Sequence, residues 1–152
     1  LRLDVYHPPA SFQGPRPAVV HVHGGGWVVG SRAEQGIPIV TLLSDRGYVC
    51  FNISYRLSPG ATWPEHLIDV KRAIAWIREH ADEYGVDPSF VAIIGGSAGG
   101  HLTAMTALTQ GVMQDFPIWQ NKVYRSKPVL CEGDEYLGDF RKWVRQFYTD
   151  PV

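Results

Sequence analysis

The sequence predicts an α/β fold, a doubly wound and mostly parallel sheet with helices on both faces. Three observations predict it. Short β-branched runs alternate with amphipathic stretches of helical period. Two of those runs end directly in glycine clusters, Gly24-Gly25-Gly26 and Gly95-Gly96. Strands that alternate with helices pair in parallel through right-handed crossovers.

Taken in order, Leu1, Leu3 and Val5 alternate with Arg2 and Asp4, which reads as a strand already under way at the first residue. That pattern leads us to expect further sequence before Leu1, together with any targeting segment. Pro8-Pro9 and Gly14-Pro15-Arg16-Pro17 punctuate a loop. Residues 18–22 form a buried strand. A helix is expected over 33–46, on the spacing of Ile37, Val40 and Leu43, with Gly47 as its stop. Residues 48–55 make a second central strand, and a loop with Pro59, Gly60 and Pro64 follows it. The strongest period runs over 65–84. There Leu67, Val70, Ile74 and Ile77 line one face, Lys71, Arg72 and Arg78 read as a solvated face, and Gly85 is the cap. A strand over 90–94 and a helix over 98–109 complete the regular part.

Composition narrows the function classes. Of 152 residues, 45% are hydrophobic, and 14 basic side chains nearly balance 15 acidic ones. A nucleic-acid partner calls for a basic surplus, so none is expected. No apolar run reaches the roughly 20 residues that a membrane-spanning helix needs, so no transmembrane segment is expected either. Cys50 lies in an apolar run and reads as a reduced, buried thiol, not as the partner of Cys131.

The chemistry lies in two motifs. Gly95-Gly96-Ser97-Ala98-Gly99 fits G-x-S-x-G, between an apolar strand and a helix. That is the context of a nucleophile elbow, a sharp turn that lifts a serine hydroxyl over the carboxyl edge of a sheet. Gly95 and Gly99 leave room where larger side chains would collide with the neighbouring strand and helix. The second motif is His23-Gly24-Gly25-Gly26-Trp27, at the end of an earlier strand. Consecutive glycines let backbone amides turn toward a tetrahedral oxyanion, which needs donors about 3 Å away. His21 and His23 form an H-x-H pair on one strand face, but no neighbouring Cys, Asp or Glu completes a metal site, so no metal is expected. Trp27, Trp63 and Trp76 are candidates for an acyl pocket, with core packing the more ordinary reading of each.

The runs VHVHGGGWVVG (20–30), Tyr55-Arg56-Leu57-Ser58-Pro59 and GGSAGGHL (95–102) resemble the hormone-sensitive-lipase-type carboxylesterases of the α/β-hydrolase superfamily. The likeness covers roughly residues 1–110, which we take as the N-terminal part of such a domain, truncated, with 111–152 as a divergent tail. It implies hydrolysis of a small-molecule carboxylic ester through a serine acyl-enzyme, with neither metal nor organic cofactor. On that resemblance Ser97 is the nucleophile, the amides of Gly24, Gly25 and Ala98 form the oxyanion hole, and His23 is structural.

A serine needs a histidine as base and a carboxylate to orient it, in this fold in the chain order Ser, Asp or Glu, His. Of the six histidines only His101 follows Ser97. It sits one turn along the same helix, so it reads as a packing residue. The run PVLCEGD (128–134) resembles the segment that presents the triad acid, which makes Asp134 the candidate, against a plain reading as a turn residue beside Gly133. The expected triad is therefore incomplete, and the alternative function is a catalytically inactive, truncated or fused hydrolase-fold protein. The tail supplies the fusion reading, because DFPIWQNKVY (115–124) and RKWVRQFY (141–148) resemble the C-terminal end of Rieske-type steroid oxygenases. The iron-ligand motifs of those enzymes are not in this sequence.

Overall fold

In the computed structural model of the chain, residues 1–109 are described. Four strands and four helices follow one another as β1 (Arg2–Tyr6), β2 (Arg16–Val22), α1 (Ile37–Ser44), β3 (Val49–Ser54), α2 (Glu65–Glu79), α3 (Ala81–Tyr84), β4 (Val86–Gly95) and α4 (Ala98–Leu108). The sheet order is β1-β3-β2-β4. β2 pairs in parallel with both β3 and β4, and β1 closes one side antiparallel to β3. This is the mostly parallel α/β sheet that the strand–helix alternation predicts.

Alternation along β2 divides the core between two layers. Ala18, Val20 and Val22 point to one face and pack with Phe51, Ile53, Val70, Ala73, Ile77 and Leu102, joining the sheet to α2 and α4. Val19 points to the other face and meets Val40 of α1 and Cys50. Burying side chains of this size stabilises by about 1.5–3 kcal/mol each, so the larger cluster fixes where α4 starts. Burial in that smaller cluster pushes the Cys50 thiol up to about 11, and the residue is a buried free cysteine. Cys131 lies outside the described residues.

Three element boundaries differ from the expectation, each for a local reason. α1 starts at Ile37, not at 33, because Pro38 belongs in a first turn and Gly36 is pressed against β2 and β3. A Cβ on Gly36 would stand 2.3 Å from His21 Nδ1. The helix expected over 65–84 breaks at His80 (φ −107°, ψ 18°). There the Trp76 carbonyl accepts from both the His80 amide at 3.0 Å and the imidazole Nδ1–H at 2.8 Å, and the ring stacks on Trp76, so the His80 side chain folds back over the last turn of α2. β4 runs from Val86, not from 90, because its pairing with β2 jumps from Arg16↔Val86 to Ala18↔Val91. The polar Asp87-Pro88-Ser89 segment is taken up in that bulge, with Asp87 accepting from the Ser89 amide and hydroxyl.

The helix face assigned to solvent is also corrected in part. Lys71 is half-buried and donates to the Thr109 carbonyl at 3.0 Å, tying α2 to the end of α4, and burial lowers its pKa. Asp69, which the helical period places away from the apolar stripe, is buried. The reason lies outside the helix, in Arg56.

Candidate active site

β4 delivers the chain to Gly95, Gly96 and Ser97 turn it, and α4 begins at Ala98. Ser97 sits in that turn at φ +54°, ψ −122°, one of two non-glycine residues of positive φ among those described. Such a backbone costs on the order of 1–3 kcal/mol and persists only where its surroundings over-determine it. Here the surroundings are glycines. A Cβ on Gly99 would lie 2.0 Å from the Val22 carbonyl oxygen, and one on Gly95 would lie 2.6 Å from the Gly99 backbone and 2.7 Å from the same Val22 oxygen. Helix and strand can approach this closely only because both positions lack side chains, and the turn follows from that approach. Ser97 is exposed at the helix N-terminus, where the dipole favours developing negative charge.

The glycine run after β2 lies against this turn. A Cβ on Gly24 would be 3.5 Å from Ser97 Cβ and 3.1 Å from the Gly96 carbonyl oxygen. Gly25 has φ +115°, and its carbonyl accepts from the amides of Val28 and Val29, both at 3.0 Å. The amides of Gly24, Gly25 and Ala98 donate to no carbonyl among the described residues. A raised serine hydroxyl beside unengaged amides is the arrangement that acyl transfer requires.

His23 anchors the loop from below. It is buried, its Nδ1–H donates to the Gly24 carbonyl at 2.7 Å, and its ring stacks on Tyr55 at 4.3 Å. The Tyr55 hydroxyl donates to the His23 carbonyl at 3.1 Å, and burial raises the pKa of that phenol. His23 Nε2 has no partner among the described residues. His21 faces the opposite side, its Nδ1–H donating to Asn52 Oδ1 at 2.7 Å. His23 therefore holds the backbone of the glycine loop, and His21 holds the Asn52 side chain. Among the described residues no three of His, Cys, Asp or Glu come together as a metal site.

The other histidine side chains make their contacts with groups other than the serine hydroxyl. His66 is buried with Nε2 3.2 Å from Ser58 Oγ, His80 caps α2, and His7 stacks on Tyr84. His101 is exposed on α4, with its ring edge-on to Trp27 at 5.3 Å and to Trp63 at 5.8 Å. Among the described residues no histidine side chain hydrogen-bonds the Ser97 hydroxyl; His101 reaches Ser97 only through its backbone amide, which donates to the Ser97 carbonyl at 3.0 Å. Asp134 lies outside the described residues. Of the three tryptophans, Trp27 and Trp63 line one cleft, while Trp76 stacks on His80 at the far end of α2.

One group in this region escaped the sequence reading. Asp69 accepts from the Arg56 Nε at 2.8 Å, from a terminal guanidinium nitrogen at 2.9 Å and from the Arg56 amide at 3.0 Å. Burial pushes the Asp69 carboxyl up, but the hydrogen bonds and charge of Arg56 outweigh it, and its pKa is lowered. This pair holds the chain after β3 onto α2 and so places Leu57 and Ser58 beneath the glycine loop. Ser58 in turn donates its amide to the Trp27 carbonyl at 2.8 Å.

Trp27 is the second positive-φ residue, at +63°, a costly backbone for so bulky a side chain. Replacing it with Gly should therefore leave a more stable protein than replacing it with Ala, by about 1 kcal/mol. Urea midpoints of the two variants check this, and equal midpoints would show that the loop relaxes once the indole is gone.

The chain matches the BD-FAE family over residues 3–129, more than half its length. It belongs to the BD-FAE family. Its fold is that of the hormone-sensitive-lipase-type α/β-hydrolase carboxylesterases, as relatives and solved structures show. The chain is 47% identical over 108 residues to the probable carboxylic ester hydrolase LipM of Mycobacterium tuberculosis, a match that covers 70% of this chain and 25% of LipM. It is similar to a propionate-bound thermophilic esterase of Thermogutta terrifontis, with 41% identity and a TM-score of 0.64 over 68% of this chain and 39% of that one. A bacterial heroin esterase matches at 35% identity and a TM-score of 0.66, covering 70% of this chain and 34% of that one. This BD-FAE chain thus spans about a quarter of the length of curated relatives such as LipM. Among its described residues no helix is long and apolar enough to cross a membrane.

Proposed function

We propose that this chain carries the nucleophile half of a serine carboxylesterase acting on small-molecule esters. Ser97 is the nucleophile, and the amides of Gly24, Gly25 and Ala98 receive the oxyanion. The observation that carries this reading is the strained Ser97 turn with Gly24 against it: a raised hydroxyl and unengaged amides meet above one sheet edge. In the reaction the Ser97 oxygen bonds the ester carbonyl carbon and its proton passes to a base. The tetrahedral oxyanion collapses, expelling the alcohol as it takes up that proton. Water then releases the acid from the acyl-serine.

Residues 1–110 are the part of the hydrolase domain that holds this machinery, with 111–152 a separate tail. Asp134 of the tail is our candidate for the triad acid. No histidine follows His101 in the sequence, so full turnover depends on a base supplied from elsewhere. Losing a triad member typically costs several orders of magnitude in rate. A second reading, an inactive hydrolase-fold protein, is favoured by the lack of any hydrogen bond from a described histidine side chain to the Ser97 hydroxyl.

Intact mass after incubation with a fluorophosphonate probe decides between them. A single adduct that disappears in Ser97→Ala is the expected result. A chain that is folded by circular dichroism yet forms no adduct would overturn the esterase reading in favour of the second.

A further inference from the structure

A groove between α2, α4 and β4 takes no part in the chemistry above. It measures about 260 Å³ and shares no lining residue with the cleft that Trp27 and Trp63 line. Lys71, Ile74, Ala75 and Arg78 of α2 form one side of it, and Val91 and Ile93 of β4 form its floor. Thr106 and Ala107, near the end of α4, close the other side.

Spacing on α2 is the reason its four residues share one wall. Positions i, i+3, i+4 and i+7 fall on one helix face, so two cations stand about 10 Å apart with an aliphatic and a small side chain between them. Ile74, Val91 and Ile93 are only partly buried by the core they border, which leaves apolar surface open along the groove. No acidic side chain is among the described lining residues, although the whole chain carries a net charge of −1. The Thr106 hydroxyl is satisfied within α4, donating to the Leu102 carbonyl at 2.7 Å. Lys71 gives one of its three N–H donors to the Thr109 carbonyl at 3.0 Å. Neither Lys71 nor Arg78 makes an ion pair among the described residues. Burial lowers the Lys71 pKa: the ammonium is short of water there, and an anion would supply what water does not.

We propose that this groove binds a medium-length alkyl carboxylate, with Lys71 as its ion partner and Ile74, Val91 and Ile93 against its tail. The two free donors of Lys71 take the carboxylate oxygens. The tail runs along the apolar floor toward Arg78, whose aliphatic stem covers its end while the guanidinium stays in water. The span between the two cations matches a chain of roughly eight carbons. An alcohol of equal length buries the same tail but leaves the ammonium without a counter-charge, and an amine adds a like charge beside two cations. The site is independent of the esterase reading, because it shares no residue with the Ser97 turn or the glycine loop.

The test titrates the full 152-residue chain with octanoate, butanoate, 1-octanol and octylammonium by calorimetry, and methyl NMR locates each ligand. Octanoate is expected to shift the Ile74, Val91 and Ile93 methyl signals and to bind at least about tenfold more tightly than octanol, as a hydrogen bond to a charged group supplies. Butanoate, four methylenes shorter, should bind at least about twentyfold more weakly than octanoate, since each buried methylene is worth roughly fourfold. Lys71→Met keeps the apolar stem and should bring octanoate down to the affinity of octanol. Because that change also removes the tie to Thr109, Ala75→Phe serves as the second variant. Ala75 is exposed on α2, so the added ring fills the groove from outside the core. It should weaken octanoate at least about tenfold and leave the urea midpoint unchanged. Equal affinities for octanoate and octylammonium, or methyl shifts confined to other parts of the chain, overturn the proposal. Undiminished octanoate binding to Ala75→Phe overturns it as well.

Discussion

Gly99→Ala is expected to destabilise the protein by at least about 3 kcal/mol and to dismantle the Ser97 turn with it. The added methyl would stand 2.0 Å from the Val22 carbonyl oxygen, 2.8 Å from the Val22 carbonyl carbon and 2.7 Å from the His23 carbonyl oxygen. All three are backbone atoms at the end of the central strand, so no side chain can swing aside to absorb the clash. Either α4 withdraws from the sheet, exposing Leu102, or the end of β2 retreats and carries the glycine loop with it. A loss of that size is a large share of the 5–15 kcal/mol that keeps a domain folded. The comparison is Gly24→Ala. Its methyl would meet Gln35 Oε1, a movable side-chain end, and the Gly96 carbonyl, both at 3.1 Å, with Ser97 Cβ at 3.5 Å. That variant should keep its stability within about 1 kcal/mol while lowering fluorophosphonate labelling of Ser97. Urea midpoints for both variants separate the outcomes, and an unchanged midpoint for Gly99→Ala would mean that the strand end yields freely.

Asp69→Asn is expected to cost about 2 kcal/mol, less than the 3–5 kcal/mol of breaking a fully enclosed ion pair. The Asp69 side chain is 6% exposed but that of Arg56 is 47% exposed, so water takes over part of the guanidinium once its carboxylate is gone. The sign with pH follows from the carboxyl. Its folded pKa is depressed below the ordinary 3.8, so the ionised pair contributes fully above that value. The contribution is lost as pH falls below 3.8 and through the lower folded value. Urea midpoints taken from neutral pH down to about pH 2.5 should therefore fall more steeply for the unaltered protein than for Asp69→Asn. Parallel acid limbs in the two proteins would place the acid sensitivity elsewhere.

Much of this was legible in the chain because local rules agree with the tertiary outcome. The β-branched runs at 18–22 and 49–54, the apolar stripe of α2 and the stops at Gly47 and Gly85 all obey spacing rules that need no partner to be read. The two glycine motifs are likewise local signatures: each is a backbone requirement, and only glycine meets it. What misled the reading was a set of interactions that override the local period. Asp87-Pro88-Ser89 has turn chemistry, yet its segment is strand because a bulge against β2 takes it up. His80 belongs to the helical period, yet its backbone leaves the helical region while its imidazole folds back onto Trp76.

By itself, the sequence determined the alternating α/β architecture and the serine on a strand-to-helix turn, because periodicity and the steric demands of glycine act over a few residues. Only the tertiary structure decided that Asp69 is buried under Arg56, that Lys71 reaches the end of α4, and that Trp27, Trp63 and His101 share one cleft while Trp76 does not. Those relations join residues from different elements, and no spacing within one element encodes them. They arise when burial of the Val20, Phe51 and Ile77 layer brings α2 and α4 onto the same face of the sheet, which sets the distances between side chains that the chain order leaves far apart.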